Sequence, residues 1–340
     1  MAKIIVTGGT GYIGSHTATE LINSGYEVII VDNLSNSNIN VLDGIKKITG
    51  IKPVFFKTNL ADASETKGFF NHVADADALI HFAAYKAVGE SVKHPLKYYR
   101  NNLNSLLNVL ENLSEKGIKN LIFSSSCTVY GQAENLPVTE LSPILKADSP
   151  YGNTKQISEE IIRDSIKAST QIKAISLRYF NPIGAHESAE IGELPTGEPN
   201  NLVPYITQTA AGIREQLKIF GNDYNTPDGT AIRDYIHVTD LAKAHTAALQ
   251  RLLNLENKSN YEIFNIGTGE GNSVAEVVRT FEKVTGIKLN TKVVGRRPGD
   301  IEKIWADVSL AEKELKWKAE KSLGEALLSA WIREKKYRGI

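Results

Sequence analysis

The first half of the chain alternates short apolar runs, rich in β-branched residues, with longer amphipathic stretches. Helical periodicity lies near residues 13–23, 96–116 and 151–168. The apolar runs have the length of buried strands and cover residues 3–7, 27–32, 54–57, 78–82, 120–125 and 174–179. Strands that alternate with helices in this way predict an α/β fold of the Rossmann type, a doubly wound parallel sheet with helices on both faces.

The pattern changes after about Asn181, where loops that contain proline and glycine interrupt the alternation. Shorter helical stretches follow near residues 202–213, 239–253, 273–285 and 323–334. We therefore expect a Rossmann domain over residues 1–180 and a smaller mixed α/β lobe over residues 181–340, which closes over the ligand edge of the sheet. An apolar run at 262–266 leaves open whether segments near residues 235–267 return to the first domain.

Composition narrows the class of protein. The 340 residues include 39 basic and 39 acidic side chains, so there is no excess positive charge that could hold a polynucleotide. The single cysteine, Cys127, excludes an intramolecular disulfide and is typical of a reducing compartment. No signal peptide and no membrane-length apolar run are apparent, and the histidines lack metal-ligand spacing. These features predict a cytoplasmic enzyme with no metal site and no nucleic-acid or membrane partner.

A glycine-rich loop joins the first predicted strand to the first predicted helix. Its glycines are Gly8, Gly9, Gly11 and Gly14. Glycine permits a tight turn and a close approach of the backbone to a pyrophosphate, and the helix that begins near Tyr12 and Ile13 offers N–H groups to the phosphates. Asp32 ends the next strand, where an acid accepts a hydrogen bond from the ribose 2′-hydroxyl of NAD and repels the 2′-phosphate of NADP. The loop and the acid together predict an NAD site.

Tyr151 and Lys155 lie four residues apart at the start of a predicted helix and therefore share one face of it. Ser149 can cap this helix, and Pro150 fits its first position. The ammonium, together with a positive nicotinamide ring, is expected to lower the pKa of the phenol. The phenolate could then accept a proton from a substrate hydroxyl while hydride leaves the same carbon.

Three serines, Ser124, Ser125 and Ser126, end the strand that precedes this helix. Ser126 is expected to hydrogen-bond the substrate oxygen that the tyrosine deprotonates. Ser124 and Ser125 are explained equally well as polar residues at a strand end.

With these motifs in this order, the chain resembles the extended short-chain dehydrogenase/reductase family, and within it the 4-epimerases of UDP-hexoses. The likeness runs from end to end through the segments TGGTGYIGSH, DNLSNS, HFAAYKAVGES, FSSSCTVYG, SPYGNTK, RYFNPIGAH, NNLVPYI, IFGNDY, RDYIHVTDLA and GRRPGD. The resemblance implies a homodimeric isomerase that keeps NAD bound and oxidises the sugar at C4 to a transient ketone. The keto-sugar then turns about its diphosphate linkage, and hydride returns to the opposite face.

The resemblance also implies roles for individual residues. Tyr151 would be the catalytic base, Lys155 its electrostatic partner and a ligand of the nicotinamide ribose, and Ser126 the proton-bridging hydroxyl. The NAD site would comprise Gly8, Gly11, Tyr12, Ile13, Gly14, Asp32, Asn33, Asn36, Ser37, Asn59, Leu60, Phe82, Ala83, Ala84, Lys86, Asn101, Ser126, Tyr151, Lys155 and Phe180. The UDP-sugar site would comprise Lys86, Ser126, Tyr151, Asn181, Asn201, Leu202, Lys218, Ile219, Phe220, Arg233, Arg297, Asp300 and Ile304.

Three positions depart from the family pattern. Asn59 stands where relatives usually carry an Asp that contacts adenine, and its amide oxygen can still accept that bond. Ala84 and Tyr85 replace a usual Gly-Leu pair near the cofactor. Ile304 stands at a position that limits the sugar pocket at C2, and its intermediate size leaves acceptance of N-acetylated sugars open.

Other activities of the same family are the main alternatives. A 4,6-dehydratase needs an additional Asp-Glu acid/base pair, and serines stand in its place here. A UDP-glucuronate 4-epimerase stays possible, because it needs only a polar or cationic partner for the C6 carboxylate. An inactive NAD-binding relative would usually lack the tyrosine or the lysine, and a dehydrogenase would release NADH in stoichiometric amounts.

Overall fold

The computed structural model describes residues 1–168, 171–195, 197–297 and 300–340, so Pro298 and Gly299 of the GRRPGD segment lie outside the described residues. The strands are β1 (Lys3–Thr7), β2 (Glu27–Asp32), β3 (Val54–Lys57), β4 (Ala78–His81), β5 (Asn120–Ser124), β6 (Lys173–Tyr179), β7 (Asn181–Ile183), β8 (Leu217–Phe220), β9 (Ile232–Arg233), β10 (Tyr235–His237), β11 (Tyr261–Ile266), β12 (Asn272–Ser273), β13 (Thr291–Val294) and β14 (Lys303–Ile304). The helices are α1 (Tyr12–Asn23), α2 (Val41–Thr49), α3 (Ala63–His72), α4 (Val88–Lys93), α5 (Pro95–Lys116), α6 (Pro150–Ala168), α7 (Leu202–Ala210), α8 (Val238–Leu253), α9 (Val274–Thr285), α10 (Ser309–Leu315) and α11 (Leu323–Arg338). A short 3₁₀ turn, Cys127–Tyr130, follows β5.

Seven parallel strands form the main sheet in the order β11-β6-β5-β4-β1-β2-β3. β1 pairs with β2 on one side and with β4 on the other, so the chain reverses its direction of winding between β1 and β4. Ligands of such sheets bind in the crevice outside the carboxyl ends of the strands at this reversal. The predicted Rossmann-type α/β fold is confirmed.

Successive residues of the central strands enter two different apolar cores. Ile4 and Val6 of β1 pack on one side of the sheet, and Ile5 packs on the other; all three are fully buried. Because side chains alternate across a strand, a sheet covered on both faces requires apolar residues at consecutive positions. This is why the strands appear in the sequence as uninterrupted β-branched runs.

The second half of the chain contributes to two places. β11 pairs with β6 at the edge of the main sheet, and α8 packs against α1. The remaining short strands form three small sheets, β10-β7, β12-β9-β14 and β13-β8. An apolar cluster that includes Ile206, Phe281 and Trp331 packs α7, α9 and α11 together.

The six predicted strands of the first half agree with the observed strands to within one residue at each end. Two helices differ from the prediction by more. α7 ends at Ala210 rather than residue 213, because the chain turns at Gly212 with a left-handed φ of 73°. α11 continues to Arg338 rather than ending at residue 334. The short helices α2, α3, α4 and α10 were not predicted.

Candidate active site

The glycine loop brings three elements into close contact. Gly8 has a left-handed φ of 65°, and a Cβ on it would lie 2.9 Å from the backbone nitrogen of Ala83. A Cβ on Gly14 would overlap the carbonyl oxygen of Gly8 and lie 2.9 Å from Cα of Gly9. The turn after β1, the start of α1 and the loop after β4 can therefore pack this closely only because the loop has no side chains at these positions.

The start of α1 faces the ligand edge of the sheet. Gly11 precedes the helix, and no side chain of the described residues caps it. The amide of Ser15 is bonded to the carbonyl of Gly11, which leaves the amides of Tyr12, Ile13 and Gly14 in the first turn. A helix start of this kind attracts phosphate groups through its N–H donors and its dipole.

Asp32 ends β2 as a buried carboxylate that organises the neighbouring loops. It accepts hydrogen bonds from the amides of Leu34 at 2.9 Å and Thr10 at 3.2 Å, and from the hydroxyl of Ser37 at 3.2 Å. Ser37 also bonds to the hydroxyl of Thr10 at 2.7 Å. Asp32, Ser37 and the glycine loop, all predicted to contact the cofactor, therefore lie together.

The other predicted cofactor residues differ in their solvent exposure. Asn33 lies beside Asp32 and accepts from the amide of Ser35, whereas Asn36 is exposed. Asn59 uses its amide oxygen to accept from the amide of Ala61. Leu60 is buried in the core, so its side chain is a packing residue.

The loop after β4 forms one wall of the crevice. Phe82 and Ala83 donate their amides to the hydroxyl of Thr7. Asn102, a buried residue that the sequence did not indicate, accepts from the amide of Tyr85 at 2.8 Å and donates to the hydroxyl of Thr154 at 3.1 Å. Asn102 therefore fixes this wall to α6. Of the remaining predicted wall residues, Ala84 and Asn101 are half-buried and Lys86 is exposed.

The predicted catalytic residues meet between β5 and α6. Ser149 caps α6 by accepting from the amide of Gly152 at 3.1 Å. One turn of helix then separates Tyr151 from Lys155, and the lysine nitrogen lies 6.0 Å from the centre of the tyrosine ring. Ser126 follows β5 and starts the 3₁₀ turn by accepting from the amide of Thr128 at 3.2 Å. All three predicted catalytic side chains are buried.

Burial dominates the electrostatics of this group. It raises the pKa of the Tyr151 phenol well above its ordinary value, and the adjacent Ser126 hydroxyl opposes that rise. It lowers the pKa of Lys155 to about 7, an effect that the carboxylate of Glu159 opposes. The expected lowering of the phenol's pKa is therefore not produced by these side chains alone, because desolvation of the phenolate outweighs the nearby positive charge.

The two serines with no assigned role hold α6 against the sheet. The Ser124 carbonyl accepts from Lys155 at 2.5 Å, and the Ser124 hydroxyl shares a hydrogen bond of 2.8 Å with Tyr179. The Ser125 hydroxyl donates to Glu159 at 2.6 Å. Polar residues at a strand end were the only sequence signal for these contacts.

A buried ion pair lies directly beneath these residues. Arg178 of β6 donates to both oxygens of Glu159, at 2.9 Å and 2.6 Å, and also to the hydroxyl of Tyr130 at 3.1 Å. Tyr130 in turn donates to Asn265 of β11 at 2.6 Å. Side-chain exposures of 2% and 5% for Arg178 and Glu159 mean that each charge depends on the other for compensation.

A second group of predicted residues lies on the smaller lobe. Asp300 pairs with Arg297 at 2.9 Å and with Arg233 at 3.5 Å. The guanidinium of Arg297 lies 5.9 Å from the ring centre of Phe220, which is 40% exposed. An accessible aromatic face next to two arginines suits a planar base attached to phosphates.

The remaining substrate candidates are arranged around this group with different side-chain directions. Lys218 and Phe220 are exposed, whereas Ile219, between them on β8, points inward and is 9% exposed. Asn201 occupies the N-cap position of α7 without a side-chain capping bond, and Leu202 is the first residue of the helix. Asn181 begins β7. Phe180 and Ile304 are buried in one cluster with Cys127, beside the predicted catalytic serine.

Glu193 is a site residue that sequence reasoning missed. One of its oxygens, Oε1, accepts from Lys86 at 3.2 Å and from Asn201 at 2.6 Å. Lys86 belongs to both predicted sites, and Asn201 belongs to the predicted UDP-sugar site alone. No motif marks Glu193, and its partner Lys86 lies 107 residues away in sequence.

Comparison with known proteins identifies the family of the chain. A model of the NAD dependent epimerase/dehydratase family matches residues 4–267. The chain belongs to this family. NAD is the cofactor of this chain, because the family depends on NAD. The glycine loop, the uncapped start of α1 and the acid at the end of β2 fit that dinucleotide.

Relatives within the family are similar over almost their whole length. The UDP-glucose 4-epimerase of Bacillus subtilis (strain 168) is 49% identical over 328 residues, which is 96% of this chain and 95% of the relative. The UDP-glucose 4-epimerase of Stenotrophomonas maltophila, crystallised with NAD and formylated UDP-arabinopyranose, has 43% identity and a TM-score of 0.95, with coverage of 100% of this chain and 99% of that one. The Bifidobacterium longum enzyme in complex with NAD+ and UDP has 43% identity and a TM-score of 0.94, with 99% of both chains covered.

Two other kinds of feature bear on the class of protein. Within the described ranges, no helix combines the length and apolar character needed to cross a membrane. The same part of the chain contains no group of three or more His, Cys, Asp or Glu side chains that could hold a metal ion.

Proposed function

We propose that the chain catalyses the NAD-dependent 4-epimerisation of a UDP-hexose, interconverting UDP-glucose and UDP-galactose through a transient 4-keto sugar. The observation that carries the proposal is the convergence of Tyr151, Lys155 and Ser126 in one buried group. This group lies at the ligand edge of a sheet whose first turn is built for a dinucleotide. The likeness to UDP-glucose 4-epimerases along nearly the whole chain supports the same activity.

The three catalytic residues divide the proton chemistry at C4. Tyr151 accepts the proton of the C4 hydroxyl, Ser126 hydrogen-bonds the same oxygen, and Lys155 stabilises the phenolate by its charge. NAD, held by the glycine loop and Asp32, would supply a positive ring that also favours the phenolate and a carrier for the hydride of C4. Tyr151 then gives the proton back to the alkoxide on the other face of the sugar.

Retention of UDP allows the sugar to turn without leaving. Arg233 and Arg297 hold the diphosphate as bidentate donors, and Phe220 stacks on uracil. Asp300 keeps the two guanidinium groups side by side. Since the nucleotide carries most of the binding energy, the hexose can rotate about its diphosphate linkage and present either face of C4.

The predicted division of the chain assigns the dinucleotide to the domain of residues 1–180 and the UDP-sugar to the lobe of residues 181–340. We propose this division of labour together with the cofactor and substrate residues named from the sequence.

We also propose that the protein works in a reducing compartment, because Cys127 is its single cysteine. The Cys127 thiol is buried, and burial raises its pKa to about 12. Cys127 is therefore a packing residue rather than a redox group.

We further propose that the protein is a homodimer through α5 and α6. Leu96 and Leu107 of α5 are 73% and 42% exposed, and Leu103 between them lies on the same face. Ile157 and Ile161 extend this apolar surface onto α6, which packs against α5. Two such helix pairs bury their apolar surfaces when they meet, and sedimentation equilibrium distinguishes this dimer from a monomer.

The deciding experiment incubates the purified holoenzyme, without added NAD, with UDP-galactose, UDP-GlcNAc or UDP-glucuronate in separate reactions. The expected result is UDP-glucose from UDP-galactose with no accumulation of NADH. Stoichiometric NADH would indicate a dehydrogenase, and loss of water a dehydratase. Conversion of UDP-glucuronate alone would replace the proposal by the uronate epimerase.

A further inference from the structure

Glu193 joins Lys86, which is predicted to contact both NAD and the UDP-sugar, to Asn201, which is predicted to contact the UDP-sugar alone. Lys86 follows β4 at the cofactor wall, whereas Asn201 occupies the N-cap position of α7 at the UDP side. Both donate to the same oxygen, Oε1 of Glu193, and the Glu193 side chain is 13% exposed. A carboxylate so little exposed needs its partners, so displacement of either donor changes the position or the charge balance of the other.

The start of α1 belongs to the same connection. The ammonium of Lys86 lies 5.6 Å from the ring centre of Tyr12, and the Tyr12 hydroxyl donates to the carbonyl of Gly184 at 2.7 Å. Gly184 and Glu193 lie on the loop that joins β7 to α7. This loop is therefore bonded to Tyr12 at its start, through Gly184, and to Lys86 and Asn201 near its middle, through Glu193.

We propose that Glu193 is a positioning residue that couples the NAD site to the UDP-sugar site by holding Lys86 and Asn201 on one carboxylate oxygen. NAD that orders Lys86 also orders Glu193 and Asn201, so UDP binds with less loss of side-chain freedom. By linkage, UDP then slows the loss of NAD by the same route. The inference rests on the proposed function, since that function assigns Lys86 to both ligands and Asn201 to the UDP-sugar.

The test measures the exchange of bound NAD for added NADH in the holoenzyme, with and without saturating UDP, by the fluorescence of bound NADH. In the native protein, UDP is expected to slow exchange by about tenfold, within the usual range of coupling between sites. Glu193→Ala should bring this factor close to one. Glu193→Gln should restore part of it, because an amide oxygen still accepts from Asn201 and Lys86.

Glu190 provides a matched control on the same loop. It also receives two lysines, Lys47 at 3.1 Å and Lys336 at 2.7 Å, but neither belongs to the predicted ligand sites. Glu190→Ala should leave the UDP effect at its native size. Equal loss in both alanine variants would overturn the proposal, because the loop would then act only through its stability.

Further outcomes separate this inference from the proposed function. A native protein that does not bind UDP contradicts the proposed substrate class. A native protein that binds UDP and epimerises UDP-galactose, but whose NAD exchange is unaffected by UDP, overturns the coupling alone. A native-sized UDP effect in a folded Glu193→Ala protein also overturns it.

Discussion

The ammonium nitrogen of Lys155 lies 2.5 Å from the carbonyl oxygen of Ser124, so the last residue of β5 fixes the lysine of α6. Lys155 is 4% exposed, and its ammonium nitrogen lies 4.8 Å from the ring centre of Phe123. Placement of a cation in such surroundings orients it for catalysis but destabilises the folded protein.

We therefore expect Lys155→Met to stabilise the cofactor-free protein while it abolishes activity. Burial lowers the pKa of Lys155 to about 7, from 10.5 in an unfolded chain, so the folded state binds the proton more weakly. The loss of folding stability that the buried ammonium causes is therefore complete below about pH 7, and it decreases as the pH rises toward 10.5. The gain in Tm, measured by thermal unfolding, should be several degrees at about pH 6 and clearly smaller at about pH 9.

The exposed Lys167 near the end of the same helix provides the control, since Lys167→Met removes a charge that is already solvated. It should give no pH-dependent gain. An equal gain for Lys155→Met at both pH values would contradict a buried ammonium as its origin.

Tyr151→Phe should lower kcat by at least about a hundredfold, the scale of a lost general base. The affinity for UDP, measured by calorimetry, should change little because the phenol serves the sugar. Tyr261→Phe removes another buried hydroxyl, bonded to Ser176 at 2.8 Å, and should retain activity. Near-native turnover by Tyr151→Phe would remove the assigned base.

Gly14→Ala should prevent NAD retention, because the added methyl group meets backbone atoms of Gly8 and Gly9 that cannot move independently. Gly68→Ala is the matched control, since a methyl group at that position of α3 would meet nothing within 4 Å beyond its own helix. The control should be neutral or more stable by about 0.5–1 kcal/mol. The NAD content after gel filtration distinguishes the two variants. Full occupancy by NAD in Gly14→Ala would contradict the assignment of the glycine loop to the NAD site.

Asp32→Asn should narrow the preference for NAD over NADP by roughly tenfold or more. It removes the charge that repels a 2′-phosphate and weakens acceptance from the ribose. Because Asp32 also accepts from the amides of Thr10 and Leu34, some loss of stability is expected. Competitive binding of the two dinucleotides measures the effect, and an unchanged ratio would place the ribose elsewhere.

Ile304→Tyr should lower activity on UDP-GlcNAc more than on UDP-glucose, by about tenfold in the ratio of kcat/KM. Ile304 is 1% exposed in a cluster with Cys127 and Phe180. The larger side chain of tyrosine does not fit in this cluster, so it must move toward the sugar. Ile304→Leu conserves volume and should leave the ratio unchanged. Equal losses on both substrates would refute a gating role.

The sequence predicted those elements whose signal is local. β1 and β2 have the predicted bounds because buried parallel strands are continuous apolar runs. α3 was missed because its ten residues, ASETKGFFNH, are mostly polar. Its start could have been found from Asp62, which caps the amide of Glu65.

The site residues were predictable where motifs mark them and not where distant segments meet. Tyr151 and Lys155 share a helical face, a relation that spacing alone reveals. The partners of Glu159 and Glu193 depend on which strands and loops the fold brings together, so neither acid was indicated. The rise in the pKa of Tyr151 that burial causes in the chain without NAD was not predictable either, because the degree of burial is a tertiary property.

The pairing of β11 with β6 has a consequence for biosynthesis. While the ribosome is still adding the second lobe, β6 presents unpaired amide and carbonyl groups along its length, and these can recruit a strand from another nascent chain. Only when Ile266 has emerged can all of β11 pair with β6 and cover these groups. Truncated forms that end before Tyr261 should therefore accumulate in inclusion bodies, and the two ligand-binding parts cannot be exchanged between relatives as separate modules.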